Sequence, residues 1–314
     1  MPSVRVPILV GLALASAAMS ACGAPGSTAS SGASRASASI TVTATEATSP
    51  VQPERVELAG GDTFTWRMAV APDGQTALVG QSSEFFPTSR QSRIDEIRRQ
   101  SDGSWSQGTR VEFSTESSAD LDPFFTADGS RVWFSSIRDI DGAERPDTDL
   151  WYVDRGPDGA YGDPVNAGPA INSPAEDLYP TIASDGTLYL GSDRGGDGFD
   201  IWSVTSLPQG GWAAPERLPA PVTSSAWEFN PALTSDSARL VFTALNRPGG
   251  PGLGDIWFTT TEGITWTEPE LLSTVNSARD EYHASFSADG ATMFFVRDGS
   301  LYQIATSAIW PSAN

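Results

Sequence analysis

Residues 177–186 read Asp177-Leu-Tyr-Pro180-Thr-Ile-Ala-Ser-Asp185-Gly186, and this ten-residue frame returns along the whole chain. Asp120-Leu-Asp-Pro123 leads to Asp128-Gly129, Glu228-Phe-Asn-Pro231 to Asp236-Ser237, and Glu281-Tyr-His-Ala284 to Asp289-Gly290. A worn copy, Thr65-Trp-Arg-Met68, leads to Asp73-Gly74. The five turn aspartates follow one another at intervals of 55, 57, 51 and 53 residues. A period of that size marks a closed or stacked array of one supersecondary unit.

Outward from the frame, each repeat divides into four strand-like runs. In the third repeat, strand A is Tyr179-Pro-Thr-Ile-Ala183 and strand B is Thr187-Leu-Tyr-Leu-Gly191. Strand C is Asp200-Ile-Trp-Ser-Val204, and strand D starts at Trp212 and carries Pro215-Glu-Arg-Leu218. Asp-Gly between alternating apolar runs is a strong hairpin signal. Strand C returns as Asp149-Leu-Trp151, Asp255-Ile-Trp257 and Ser300-Leu-Tyr302, and the aromatic before strand D as Trp105, Tyr161 and Trp266. Those aromatics are expected to fill the space between sheets, and Pro164, Pro215 and Pro269 suit an outer edge strand.

Four antiparallel strands in about 54 residues describe a β-propeller blade. The last repeat stops near Ile304 without a strand D, and Pro53-Glu-Arg-Val56 nearly repeats Pro215-Glu-Arg-Leu218. The expected fold is therefore an all-β propeller over 51–305, with five four-stranded blades. The N-terminal segment closes the last blade and covers an edge that would invite aggregation. A sixth blade stays open as an alternative if residues 80–118 hold a short extra unit.

The frame acid-x-x-Pro-x-x-Ser/Thr-x-Asp-Gly, then Leu-x-Phe-x-Ser, then Asp-Ile-Trp resembles the WD-type propeller repeat of the TolB-like family over residues 53–304. The resemblance implies a propeller that serves as a recognition platform, with TolB-like partners, in a family that also sits beside enzymatic propellers. Fold likeness is a weak warrant for activity.

Counting across the Asp-Gly turns brings polar residues together. The residue opposite Asp120 falls next to Arg138, that opposite Asp177 on Arg194, that opposite Glu228 two short of Arg247, and that opposite Glu281 next to Arg297. These acid–arginine pairs read either as clasps within the ring or as a ligand face at one mouth of the channel. The loops between strands B and C open on the same mouth. They include Arg138–Asp147, Asp193–Gly198, Asn246–Asp255 and Glu84–Arg90. Binding residues collect on such loops, so any ligand is expected there. Asp139 and Asp141 have a weak likeness to a calcium loop without its bidentate Glu; otherwise no metal and no cofactor is expected.

The 19 basic residues are all arginine, against 39 acids, for a net charge of −20. That balance argues against nucleic acid as a partner. Gly-x-Ser-x-Gly, His-Glu-x-x-His and phosphate-binding glycine loops are absent. One histidine, His283, and one cysteine, Cys22, leave little room for imidazole- or thiol-based nucleophiles. His283 reads as a packing or hydrogen-bonding residue. Paired carboxylates are the remaining route to catalysis, with Asp120, Asp177, Glu228 and Glu281 as candidates. Their equivalence in each blade argues against them, because catalytic acids need different environments.

At the N-terminus, Met1-Pro-Ser-Val-Arg5 precedes an apolar run, Val6 to Ala18, and then Met19-Ser-Ala-Cys22. The last four residues resemble a bacterial lipobox with Met where Leu is usual. Residues 1–22 are thus expected to be a lipoprotein signal peptide with lipid carried on Cys22, an ordinary secretory signal being the alternative. Residues 23–50, rich in Ser, Ala and Thr, read as a flexible tether, and 306–314 as a C-terminal tail. The expectation is an exported monomer, anchored on the outer side of the cytoplasmic membrane. It would bind an envelope protein, peptide or glycan without catalysis. The alternative is a carboxylate-dependent glycan hydrolase or lyase.

Overall fold

The computed structural model describes residues 51–58, 64–83, 91–115, 117–140, 142–143, 145–262 and 265–310. They form five antiparallel sheets in ring order. A short strand, β1 (Glu54–Arg55), comes first. Blade 1 holds β2 (Phe64–Val70), β3 (Thr76–Ser82), β4 (Ser92–Arg98) and β5 (Thr109–Arg110). Blade 2 holds β6 (Leu121–Phe125), β7 (Arg131–Ser136), β8 (Asp149–Asp154) and β9 (Val165–Asn166). Blade 3 holds β10 (Asp177–Ile182), β11 (Leu188–Ser192), β12 (Asp200–Val204) and β13 (Glu216–Arg217). Blade 4 holds β14 (Trp227–Leu233), β15 (Arg239–Leu245), β16 (Gly254–Glu262), β17 (Thr265–Trp266) and β18 (Glu270–Leu271). Blade 5 holds β19 (Glu281–Phe286), β20 (Thr292–Arg297) and β21 (Ser300–Ala305). A one-turn helix, α1 (Thr306–Ile309), follows.

The ring is closed as the repeat of Pro-Glu-Arg implies. β1 completes blade 5, with Glu54 opposite Gln303 and Arg55 opposite Tyr302. Among its described residues the worn stretch 80–118 holds no sixth unit, since it supplies strands β4 and β5 and the end of β3. Blade 4 departs from the pattern, because β16 is long enough to pair with both β17 and β18.

Each turn aspartate accepts the backbone N–H two residues on, as Asp128 does from Ser130 at 3.1 Å and Asp289 from Ala291 at 3.0 Å. The Thr126 hydroxyl and the Ser130 donors pull the Asp128 carboxyl down to about 2. The next residue turns left-handed, at φ 69° for Gly129 and 55° for Ser237, so glycine is favoured there.

Apolar clusters lie between consecutive blades. Leu78 and Ile94 of blade 1 meet Val132 and Phe134 of blade 2. Trp133 and Leu150 meet Leu188 and Leu190. Ile201 meets Phe242, Val241 meets Phe295, and Phe294 closes back on Met68 and Val79. The aromatics ahead of strand D join these seams, with Trp212 edge-on to Trp133 at 6.0 Å. Each Phe or Trp that is fully buried in such a seam contributes roughly 1.5–3 kcal/mol, which spreads stability evenly round the ring.

Candidate functional site at the propeller axis

The four repeated acids sit at the start of strand A, and all are sealed from solvent. Asp120 accepts from Arg138 at 2.7 Å and from the Ser118 hydroxyl at 2.6 Å. Asp177 accepts from Arg194, and from the backbone and hydroxyl of Ser173. Glu228 takes Arg247 at 3.2 Å and the Ser224 donors, and Glu281 takes Arg297 at 2.6 Å and the Ser277 donors. Every carboxylate oxygen in the set therefore has a donor.

Each guanidinium also donates to a carbonyl in the loop that enters its blade: Phe113, Ile171, Val222 and Val275. Arg138, Arg247 and Arg297 each lie over two aromatic rings of their own blade, and Arg194 lies over Trp202. Burial pushes the Asp177 and Glu228 carboxyls up, against the pull of Arg194 and of Ser224.

Two residues further on, every strand A bulges. The register slips between Thr65 and Met68, Leu121 and Phe124, Leu178 and Thr181, Phe229 and Ala232, and Tyr282 and Ser285. Asp122, Tyr179, Asn230 and His283 sit at the bulges with φ of 53°, 62°, 51° and 56°. Left-handed backbone costs a non-glycine residue roughly 1–3 kcal/mol and collects where function needs it. A bulge also re-aims a side chain, here toward the axis.

His283 is the point where all five blades meet. Its ring is edge-on to Trp66 of blade 1 at 5.5 Å and to Tyr179 of blade 3 at 5.6 Å. Its Nδ1 lies 3.2 Å from Asp122 Oδ1 of blade 2 and 3.1 Å from Asn230 Nδ2 of blade 4. Arg67 crosses the channel from blade 1 to blade 3, donating to the Pro180 carbonyl at 2.8 Å and the Thr181 hydroxyl at 2.7 Å.

Asp122 is 1% exposed, and neither of its oxygens receives a hydrogen bond among the described residues. The imidazole is within reach but not aligned as a donor to it. An unsatisfied buried carboxylate is costly, so its retention needs a reason. Burial pulls the Arg67 guanidinium down to about 10, with Asp122 opposing. Burial raises the Tyr179 phenol, and the Asp122 and Glu176 charges add to that. The axis thus gathers a carboxylate, an imidazole, a phenol, an amide and a guanidinium from five different blades.

The two mouths of the channel differ. Where strands A begin, Tyr179 packs with Phe229 at 5.8 Å and Phe199 at 6.5 Å, and Phe199 with Trp227 at 6.2 Å. These rings, with Tyr282, are half-buried. At the opposite mouth, among the Asp-Gly turns, a cavity of about 680 Å³ narrows onto Arg67. From the sequence a ligand is expected on the first mouth, whereas this cavity lies at the other. It is formed where the fifth residues of the frame, such as Phe124, Thr181 and Ser285, ring the axis.

Among the described residues no group of three or more Asp, Glu, His or Cys could hold a metal ion. Asp139 is exposed, and Asp141 lies outside the described residues, as do Cys22, residues 1–50 and the Glu84–Arg90 loop.

The axial residues were missed by sequence reasoning, although a signal was there. The third place of the frame reads Arg67, Asp122, Tyr179, Asn230 and His283, a different residue in every copy. Attention to the repeated first place hid it.

No protein-family model matches the chain. No curated protein is similar to it in sequence, so the TolB-like resemblance rests on the repeat residues alone. Among solved structures the fold is similar to one described as a glycoside hydrolase, with a TM-score of 0.56 at 11% identity over 81% of this chain and 90% of that one. It is also similar to an exo-1,5-α-L-arabinanase from a bovine ruminal metagenomic library, with a TM-score of 0.50 at 9% identity over 80% of this chain and 95% of that one. The expectation of a non-catalytic module is overturned in so far as it rested on the fold, because proteins of similar fold are glycoside hydrolases. Propellers of this shape carry glycosidases, and the regularity that argued against catalysis belongs to the clasp residues, whereas the axial residues break the repeat. The chain is, on this evidence, a five-bladed β-propeller similar in fold to glycoside hydrolases.

Proposed function

We propose that this protein cleaves glycosidic bonds of a neutral glycan at the propeller axis, with Asp122 and His283 as its acid–base pair. The observation that supports this reading is Asp122 itself, a buried carboxylate without a hydrogen-bond donor, at the one place of the frame that differs in every blade. In the hydrolytic step, water adds to the anomeric carbon and gives its proton to the Asp122 carboxylate. From Asp122 the proton passes to the His283 imidazole 3.2 Å away, and the leaving oxygen takes a proton from solvent water as the glycosidic bond breaks. Hydrolases commonly use two carboxylates about 5–9.5 Å apart on either side of the bond; Asp122 and His283, in contact, act together on the water instead. Positioned proton transfer of this kind contributes about 100- to 10,000-fold in rate.

The half-buried rings of Tyr179, Phe199, Trp227 and Tyr282 offer apolar faces on which sugar rings stack. A net charge of −20 disfavours polyanionic substrates, hence a neutral glycan. The N-terminal sequence supports placing the enzyme outside the cell, tethered through lipid on Cys22; Cys22→Ser would then release it from the membrane fraction. Catalysis is tested by assaying release of reducing sugar from neutral polysaccharides such as arabinan and galactan. The wild type should release sugar and Asp122→Asn should not. No release by the wild type, or equal release by the variant, would sink the proposal.

A further inference from the structure

The cavity among the Asp-Gly turns lies on the far side of Arg67 from the proposed catalytic pair. Its lining includes Arg67, Phe124, Thr181 and Ser285, and its rim carries Ser184, Ser235 and other turn residues. Three buried polar atoms belonging to lining residues have no partner among the described residues: Arg67 Nε, Trp133 Nε1 and Ser285 Oγ. Arg67 itself is 3% exposed and Ser285 5%. The neighbouring Thr181 hydroxyl is already committed, since it accepts from Arg67 and donates to the Pro231 carbonyl at 2.7 Å. What the lining has left to offer is therefore two N–H groups and one O–H.

All three are donors, and one belongs to a cation. A guanidinium and a hydroxyl lining one cavity suit a planar anion that accepts two hydrogen bonds. The walls above are mixed, with the rings of Phe124 and Phe286 alternating with hydroxyls. A volume of about 680 Å³ lies within the range of ordinary small-molecule sites.

We propose that this cavity is a second binding site, separate from the axial acid–base pair, for a small carboxylate-bearing ligand such as an acidic sugar, whose carboxylate meets Arg67 and Ser285. The chain's acidity works against anions at long range, but a salt concentration near 0.15 M screens exposed charges beyond about 8 Å, whereas Arg67 is buried and acts at contact. The site does not depend on catalysis, and Asp122 is not among its lining residues.

Trp133 and Trp212 line the cavity, so intrinsic fluorescence reports occupancy. The purified protein is titrated with glucuronate and, in parallel, with glucose. Saturable change with glucuronate and none with glucose is expected. Ser285→Ala should weaken glucuronate binding about 10-fold and Arg67→Gln by up to about 100-fold, the scale of one neutral and one charged hydrogen bond. Arg67→Gln also loses its bonds to blade 3, so Ser285→Ala decides the matter if that variant does not fold. Asp122→Asn should bind glucuronate no more weakly than the wild type does, since the charge it removes opposes an anion at Arg67, and this separates the site from the proposed catalytic one. The absence of saturable glucuronate binding, equal binding of glucose, or unchanged affinity in Ser285→Ala would overturn the inference.

Discussion

The first and third places of the ten-residue frame are two residues apart on the same strand, yet they do opposite things. At the first place the same acid–arginine clasp is built four times, and each clasp serves its own blade. At the third place the bulge turns the side chain inward, and Arg67, Asp122, Tyr179, Asn230 and His283 meet as one set. Repetition marks what every blade needs for itself. Departure marks what the ring needs once, at the axis that no single blade owns.

The sharpest way to break this comparison is to remove a carboxylate from each place. Asp122→Asn is expected to lower sugar release about 100- to 10,000-fold with a small change in melting midpoint. Asp177→Asn should leave release per folded molecule unchanged. It strands Arg194 in a buried pair, a loss of about 3–5 kcal/mol, or on the order of 10 °C in melting midpoint. Calorimetry and a release assay on both proteins check the crossing. Equal effects of the two changes on both readouts would erase the distinction.

A smaller effect tests whether every departure from the repeat is functional. At the start of strand C, Asp149 is met by Asn166 and Asp200 by Arg217, both from strand D. In blade 4 the register places Leu271 where Arg217 stands in blade 3. Burial pushes the Asp255 carboxyl up to about 6, against the backbone N–H of Gly252 and with the Glu281 and Asp280 charges adding. A folded-state value above the unfolded one means that the stabilising contribution is full below about pH 4 and is lost as pH rises through about 6. Asp255→Asn should therefore be more stable than the wild type at pH 8, by roughly 1–2 kcal/mol, and no more stable at pH 4. A gain that does not vary with pH would show that relief of charge is not the cause.

Much of the fold was legible because blade chemistry is local. Asp-Gly turns, alternating apolar runs and the reuse of Pro-Glu-Arg at residues 53–55 all act within a few residues or through exact repetition. The clasp partners were reachable by counting because a hairpin roughly conserves distance from its turn, although the bulge shifts the register and puts Ser192, not Arg194, opposite Asp177. The sequence marks His283 as a packing or hydrogen-bonding residue, but its contacts with four other blades lay beyond any count along the chain. The same limit hid the cavity, which takes its walls from all five blades.

By itself, then, the sequence determined the blade and the strand that closes the ring, since each follows from a pattern carried by one contiguous stretch or its copy, and it left six blades open beside five. Tertiary structure alone decided which residues share the axis, that Asp122 is left without a donor beside His283, and that Arg67 bars the channel above a cavity. Those facts depend on how five separate strands converge, and convergence is set by ring closure and the bulges, which no single repeat encodes.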